Sequence, residues 1–152
     1  MKVIIAIPAR YASTRFEGKV LAKQTGKYLL EHTWEKARKS ALAEKIIVAT
    51  DDRRVVQACE QFGAETVMTS PDHQSGTDRI AEAVKDIEGD IIINVQADEP
   101  ELDPRSIDMT AELLIENGWA DMSTLLTRFE NAEQVSNPNI VKCVRAQYGT
   151  AR

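Results

Sequence analysis

Cations and hydroxyls are concentrated in one short segment near the start of the 152-residue chain. This segment, PARYASTRFEGK at positions 8–19, contains three cations and two hydroxyls: Arg10, Arg15, Lys19, Ser13 and Thr14. Glu17 is the only acid in the first 27 residues, although the net charge of the chain is -5. A local cationic patch on an acidic protein suits a small polyanion such as a nucleotide. The composition therefore favours a phosphate-binding loop, with a solvated basic loop as the alternative.

The segment does not match the common glycine-rich phosphate motifs. A Walker A loop has glycine five positions before Gly18, where this chain has Ser13. Val20 stands where that motif has the Ser or Thr that holds Mg²⁺. The GxGxxG pattern is also absent from the segment, so the prediction depends on the clustering of charge alone.

A second polar segment, TSPDHQSGTDR at positions 69–79, precedes a predicted helix. Free backbone N–H groups at the start of a helix favour anions, so this loop is a second candidate for nucleotide binding. An ordinary capped loop is the alternative. For His73 considered alone, a structural hydrogen bond is favoured over a catalytic role.

The third polar segment, NVQADEP at positions 94–100, follows the most apolar predicted strand. Acids at the end of a buried strand are costly unless a ligand uses them. Mg²⁺ binds through one or two carboxylates together with substrate phosphates, which makes Asp98 a candidate ligand. The alternative is a helix-capping turn, although Asp103 already supplies the cap for the next predicted helix.

Apolar periodicity predicts the elements that position these loops. Continuous apolar runs indicate buried strands, and spacings of three and four residues indicate one helix face. The strands are expected at 3–7, 45–50, 65–69, 90–95, 122–129 and 140–146. The intervening helices contain inward-facing Leu30, Trp34, Ala37 and Ala41, then Val55, Cys59 and Phe62, then Ile80, Val84 and Ile87, and finally Ile107, Ala111 and Leu114.

The helices have recognisable ends. Asp51 or Asp52 is the expected cap of the second helix, and Gly63 its stop. Gly89 and Gly118 are the expected ends of the third and fourth helices. Alternation of strands and helices predicts a doubly wound, mostly parallel α/β sheet. In such a sheet the ligand crevice lies beyond the carboxyl ends of the strands, so the three polar loops should meet there.

Composition excludes several classes of protein. The negative net charge argues against a general nucleic-acid binder, and the apolar runs are too short to cross a membrane. Without a signal-peptide pattern, the chain is expected to stay in the cytoplasm. Cys59 and Cys143 form no CxxC pair, so we expect two buried, reduced thiols rather than a disulfide or a zinc site.

The three polar segments, together with a fourth segment at 137–142, resemble those of one known family. IPARYASTR followed by Gly18-Lys19, DHQSGT followed by Arg79, NVQADEP, and NPNIVK at 137–142 are similar to the motifs of the 3-deoxy-manno-octulosonate (Kdo) cytidylyltransferases, relatives of the sialic-acid cytidylyltransferases. The resemblance covers nearly the whole chain and implies a fold of the nucleotide-diphospho-sugar transferase type. Family members are longer, so residues 1–152 are interpreted as a single nucleotide-binding domain, C-terminally incomplete.

The resemblance also implies an activity. Family members transfer CMP from CTP to the anomeric hydroxyl of Kdo, which gives CMP-Kdo and pyrophosphate for lipopolysaccharide synthesis. CTP and Kdo are thus the implied substrates, Mg²⁺ the cofactor and a homodimer the assembly of the longer family members. Another sugar acid, such as 8-amino-Kdo or sialic acid, is an alternative substrate. A catalytically inactive nucleotide-binding remnant is the other alternative.

The family pattern assigns roles residue by residue. Catalysis is carried over to Arg10, Lys19 and Asp98, and Asp98 is also the implied metal ligand. Contacts with the substrates are carried over to a larger group: Ala9, Ser13, Arg15, Ser75, Gly76, Arg79 and Gln96. The chain departs from the pattern at Glu17 and Val20, where proline is usual, and at Ala97, where glycine is usual. Ala97 would be strained if its position requires a positive φ.

Overall fold

Four parallel strands form the sheet in the computed structural model, which describes residues 1–12 and 16–144. Their spatial order is β3-β2-β1-β4. Each neighbouring pair is in parallel register, with Ile7 opposite Val48 and Ile5 opposite Ile93. The strands are β1 (Val3–Pro8), β2 (Ala43–Thr50), β3 (Glu65–Met68) and β4 (Ile91–Asn94).

The apolar run VIIAI becomes β1 because that strand has a neighbour on each side and helices on both faces. Ile5 and Ile7 point to one face, whereas Ala6 points to the other, and all three are fully buried. A strand covered on both faces has no polar alternation, and this explains the continuous run.

Helices cover both faces of the sheet. The larger core contains side chains from α1, α2 and α4, such as Leu30, Cys59 and Ile107, packed against Ile5 and Ile7. The smaller core lies on the opposite face, where Ile80 and Ala83 of α3 pack on Ala6. The predicted doubly wound α/β fold is therefore confirmed. The helices are α1 (Leu29–Ala37), α2 (Arg53–Phe62), α3 (Gly76–Ala83), α4 (Pro104–Glu116) and α5 (Ala132–Ser136), with a short 3₁₀ helix at Lys19–Leu21.

Helix ends follow the predicted capping residues in most places. Asp52, rather than Asp51, caps α2 through the backbone N–H of Arg54, and Gly63 ends that helix with a φ of 79°. Asp103 caps α4 in the same way. The third helix is shorter than predicted because the backbone after Ala83 continues in tighter turns, in which Ile87 N–H donates to the carbonyl of Val84.

The two last predicted strands are wrong over the described residues. Neither 122–129 nor 140–144 is a strand, and Arg145 and Ala146 lie outside the described residues. A strand requires a hydrogen-bonded partner, and the apolar side chains here are exposed, with Met122 at 87% and Val141 at 94%. Apolar, β-branched composition therefore does not suffice to make a strand.

Within the residues that the structure describes, no helix is long and apolar enough to span a membrane.

The two cysteines differ in burial. Cys59 is buried, as expected, but Cys143 is exposed because it lies in the uncovered segment after α5. Burial raises the pKa of the Cys59 thiol to about 12.

Candidate active site at the carboxyl edge of the sheet

The strand order places a crevice between the ends of β1 and β4. From β1 the chain proceeds to β2 and β3 on one side, and β4 is then added on the other side of β1. This reversal is a topological switch point, where the loops after the two neighbouring strands diverge and leave space for a ligand. The loop after β1 contains the cationic segment, and the loop after β4 contains Asp98.

Lys19 and Asp98 meet across this crevice. The Nζ atom of Lys19 lies 2.5 Å from an Oδ atom of Asp98, although the residues are 79 positions apart in the chain. Both side chains are almost half exposed, at 46% and 42%. The cationic loop and the acidic loop, predicted independently to bind phosphate and Mg²⁺, thus face the same open space.

Gly18 positions Lys19 at the start of the 3₁₀ helix. Its backbone is left-handed, with a φ of 69°, and a Cβ atom there would lie 3.1 Å from the ring of Tyr11. The N–H of Gly18 donates to the carbonyl of Tyr11, which brings the two ends of the loop together. The guanidinium of Arg54 stacks over the ring of Tyr11, 3.4 Å from the ring centre. The predicted contacts Ser13 and Arg15 lie outside the described residues.

Arg10 connects the first loop to the second. Its guanidinium donates to the backbone carbonyl of His73, which follows β3. The ring of His73 in turn contacts the carboxylate of Glu82 on α3, and that carboxylate also accepts a hydrogen bond from Ser70 N–H at 3.0 Å. The hydrogen bond from His73 lowers the pKa of Glu82. His73 therefore has the structural role favoured from the sequence.

Ser75 and Gly76 begin α3 beside the first loop. The Ser75 hydroxyl accepts a hydrogen bond from Asp78 N–H at 3.1 Å, as expected for an N-cap. A Cβ atom on Gly76 would lie 3.2 Å from the ring of Pro8, the last residue of β1. The absence of a side chain at Gly76 thus lets the start of α3 approach the end of β1 closely.

Arg79 does not face the crevice. Its side chain is fully buried, with Nη2 2.8 Å from a carboxylate oxygen of Asp51 and Nη1 bonded to the Thr69 hydroxyl. Its Nε has no hydrogen-bond partner among the residues that the structure describes. The family pattern implies that Arg79 contacts the nucleotide directly. In the structure, Arg79 instead links α3 to the ends of β2 and β3 through buried contacts.

Ala9 is also enclosed. Its side chain is fully buried in the larger core, and its N–H donates to the carbonyl of Ala49 at 2.8 Å. With its side chain enclosed and its N–H bonded, Ala9 can contact a substrate only through its backbone carbonyl. A contact through that backbone group is compatible with the predicted role.

The loop after β4 is held by polar contacts from below. The hydroxyl of Thr33, buried on α1, donates to the carbonyl of Ala97 at 3.0 Å. The exposed side chain of Gln96 donates to Asn94 at 2.9 Å. Among the described residues no non-glycine residue has a positive φ, so Ala97 is accommodated without the strain that would arise in a left-handed position.

Asp98 supplies one protein ligand for a divalent cation, whose remaining ligands would be phosphate oxygens or water. Within the described part of the chain, no three His, Cys, Asp or Glu side chains are grouped closely enough to hold a metal. Asp98 supplies one exposed carboxylate at the crevice. Mg²⁺ characteristically takes one or two carboxylates and completes its shell with phosphate oxygens and water. The donor set is therefore appropriate for a cation that arrives with a nucleotide.

Sequence reasoning missed two positioning residues. Thr33 is a polar residue on the inner face of α1, between the predicted core residues Leu30 and Trp34, and a buried hydroxyl requires a partner. That signal was available in the sequence. The sequence offers Asp51 as a possible helix cap and as part of a turn, 49–52, that resembles another family segment, whereas its pairing with Arg79 depends on the meeting of elements 28 residues apart.

Comparison with known proteins gives a family for the chain. The family profile described as Cytidylyltransferase matches residues 4–152. The 3-deoxy-manno-octulosonate cytidylyltransferase of Geotalea daltonii is 47% identical over 151 residues, which are 99% of this chain and 60% of that protein. The enzyme of the same name from Pseudomonas fluorescens is 47% identical over 150 residues, 97% of this chain and 59% of that protein. The chain therefore spans about 60% of the length of these relatives.

Solved structures agree with the sequence comparison. A CMP:2-keto-3-deoxy-manno-octonic acid synthetase complexed with CTP superposes with a TM-score of 0.76 at 42% identity, covering 78% of this chain and 49% of that one. A cytidylyltransferase from Leptospira borgpetersenii superposes with a TM-score of 0.68 at 27% identity, covering 77% and 50%. By sequence and by fold, the chain belongs to the cytidylyltransferase family of nucleotidyltransferases.

Proposed function

We propose that the protein is the nucleotide-binding part of an enzyme that transfers CMP from CTP to the anomeric hydroxyl of Kdo. The observation that carries the proposal is the juxtaposition of Lys19 and Asp98 at the switch point between β1 and β4. The relatives named for Kdo support the sugar, and the CTP complex among the similar structures supports the nucleotide. Lipopolysaccharide synthesis in the cytoplasm is the setting that follows from this substrate.

The proposed reaction is an in-line substitution at the α-phosphorus of CTP. A bond forms between the anomeric oxygen of Kdo and that phosphorus, the bond to the β-phosphate oxygen breaks, and the hydroxyl proton is lost to solvent. The products are CMP-Kdo and pyrophosphate. Fixed cations directed at the phosphates stabilise the negative charge that develops on the leaving group.

Each residue at the crevice has a place in this reaction. Lys19 and Arg10 bind phosphate oxygens, and the family pattern gives the same role to Ser13 and Arg15, which lie outside the described residues. Ser75, Gly76 and the carbonyl of Ala9 contact the nucleoside, while Gln96 contacts substrate. Arg79 acts indirectly, since its buried bonds to Asp51 and Thr69 fix the start of the second loop. Asp98 holds Mg²⁺, which supplies charge neutralisation on the phosphates when it is bound.

The experiment is an assay of pyrophosphate release from CTP, Kdo and Mg²⁺. Replacement of the metal ligand in Asp98→Ala is expected to lower turnover by about two orders of magnitude or more. Glu101→Ala is the matched control, because it removes another exposed acid from the same loop and leaves the rate unchanged. Equal rates for Asp98→Ala and wild type would contradict the metal assignment.

Nucleotide binding without turnover is the second candidate function. It is favoured by the small number of acidic groups at the crevice, because within the described residues no three His, Cys, Asp or Glu side chains are grouped closely enough to hold a metal ion. Calorimetry that detects CTP binding, combined with no pyrophosphate release, would establish this candidate.

Turnover with 8-amino-Kdo or sialic acid but not with Kdo would instead change the proposed sugar substrate and leave the reaction class intact. A homodimer remains a proposal for the longer relatives' assembly.

A further inference from the structure

Lys19 and Asp98 form an ion pair with each other, although each has a different ligand in the proposed function. Lys19 is proposed to bind phosphate and Asp98 to bind Mg²⁺. In the structure they bind each other, with a separation of 2.5 Å between Nζ and Oδ2. An ammonium on the carboxylate occupies the position that a cation would need, and it also draws Lys19 away from a phosphate.

We propose that Lys19 blocks Asp98 in the ligand-free protein, so that nucleotide and divalent cation bind together by an exchange of partners. Phosphate oxygens take over the Lys19 ammonium, and the freed Asp98 carboxylate accepts the cation. The inference rests on the proposed function and adds to it a coupling between the two ligands. Each ligand then increases the affinity of the other by the same factor, because binding coupling is reciprocal.

The exposure of the pair makes the exchange feasible. Both side chains are almost half exposed, and exposed ion pairs contribute little, so the pair can be opened without a large change in the fold. Lys19 lies on the short 3₁₀ helix, and Asp98 lies in the loop after β4. Neither residue lies in the sheet or in a long helix, so either side chain can reach a new partner by rotation.

The test measures the affinity for Mn²⁺ alone by electron paramagnetic resonance, with no nucleotide present. Lys19→Gln removes the competing ammonium and is expected to bind Mn²⁺ about fivefold more tightly than wild type, the upper range for one exposed pair. Lys19→Arg keeps the charge and should match wild type. Asp98→Asn should lose the gain when it is combined with Lys19→Gln.

A second ion pair in the same protein provides a matched control. Lys27 and Glu35 have exposures of 45% and 40%, close to those of Lys19 and Asp98, and they pair with each other rather than with either of those two residues. Lys27→Gln removes the same charge and frees a carboxylate of similar exposure. It is expected to leave the Mn²⁺ affinity that depends on Asp98 unchanged, which separates local competition from a general change of charge.

Addition of CTP distinguishes failure of this inference from failure of the proposed function. We expect CTP to increase the Mn²⁺ affinity of wild type by a larger factor than that of Lys19→Gln. If CTP and Mn²⁺ bind together to wild type but Lys19→Gln does not change the affinity for Mn²⁺ alone, the exchange is wrong and the proposed function stands. If CTP and Mn²⁺ bind to neither protein, the proposed function is wrong.

Discussion

Apolar side chains form a buried core in the part of the chain up to the end of α4, the first part, and are mostly exposed in the segment 119–144. In the first part, Ile5, Leu30 and Val48 are fully buried between the sheet and its helices. In the segment, Met122 and Val141 are 87% and 94% exposed. None of the residues 119–144 lies in a strand. Similar residue types thus have opposite environments within one chain.

The difference shows that an apolar sequence pattern predicts a buried strand or helix only where a second element covers it. The strands and helices of the first part cover one another, so hydrophobic burial stabilises each of them. A groove of about 770 Å³ runs beside β4, between α3 and α4, and is bordered by residues 121–125. The proposed nucleotide site belongs to the well-covered part, and its neighbours Asn94 and Gln96 also contribute to the lining of this groove.

The largest expected contrast is in the reactivity of the two cysteines. Cys59 is buried in the first part, where burial raises its pKa to about 12, whereas Cys143 is exposed in the segment. A thiol reagent such as DTNB at pH 8 should modify Cys143 at least about a thousandfold faster, because Cys59 requires an opening of the core. Cys143→Ser should remove the fast phase. Two fast phases in wild type would contradict the contrast.

Truncation of apolar side chains should differ between the parts by several kcal/mol. Ile5→Ala removes a fully buried side chain from the central strand, and such changes lower the free energy of unfolding by about 2–5 kcal/mol. Val141→Ala removes an exposed side chain and should change it by less than about 0.5 kcal/mol. Urea unfolding followed by circular dichroism measures both. Equal losses would mean that the segment is packed in solution.

Loss of a buried ion pair gives a comparison for charged residues. Arg79→Met leaves Asp51 without its partner and should lower the free energy of unfolding by about 3 kcal/mol. In the segment, among the residues that the structure describes, no ion pair is formed. Arg128→Met should accordingly have an effect below about 0.5 kcal/mol. A small loss for Arg79→Met would show that its buried guanidinium contributes little to the fold.

Sequence alone was sufficient for the first part of the fold because its signals are local and mutually consistent. The continuous run in β1, the Asp103 cap and the Gly63 stop each predict one element, and the elements together predict the sheet. The strands expected at 122–129 and 140–146 had residue composition as their only support. Composition does not specify a hydrogen-bonding partner.

The site was predictable to a similar extent. Lys19 and Asp98 could be placed at one edge of the sheet because both follow parallel strands. Their direct pairing could not be predicted, because the free energies of exposed charges depend on rotamers and distances rather than on spacing in the sequence. The burial of Arg79 was missed for a related reason, since an arginine after a polar loop has the same sequence pattern whether it faces a ligand or Asp51.

If the loops after β1 and β4 share one site for CTP and Mg²⁺, these ligands should perturb residues of both loops together. Titration of the ¹⁵N-labelled protein with CTP and Mg²⁺, followed by two-dimensional NMR, locates the perturbed residues. The largest amide shifts are expected at Arg10, Lys19, Gly76 and the residues 96–98. Shifts concentrated at the opposite edge of the sheet, around Lys2 and Asp90, would contradict the shared site.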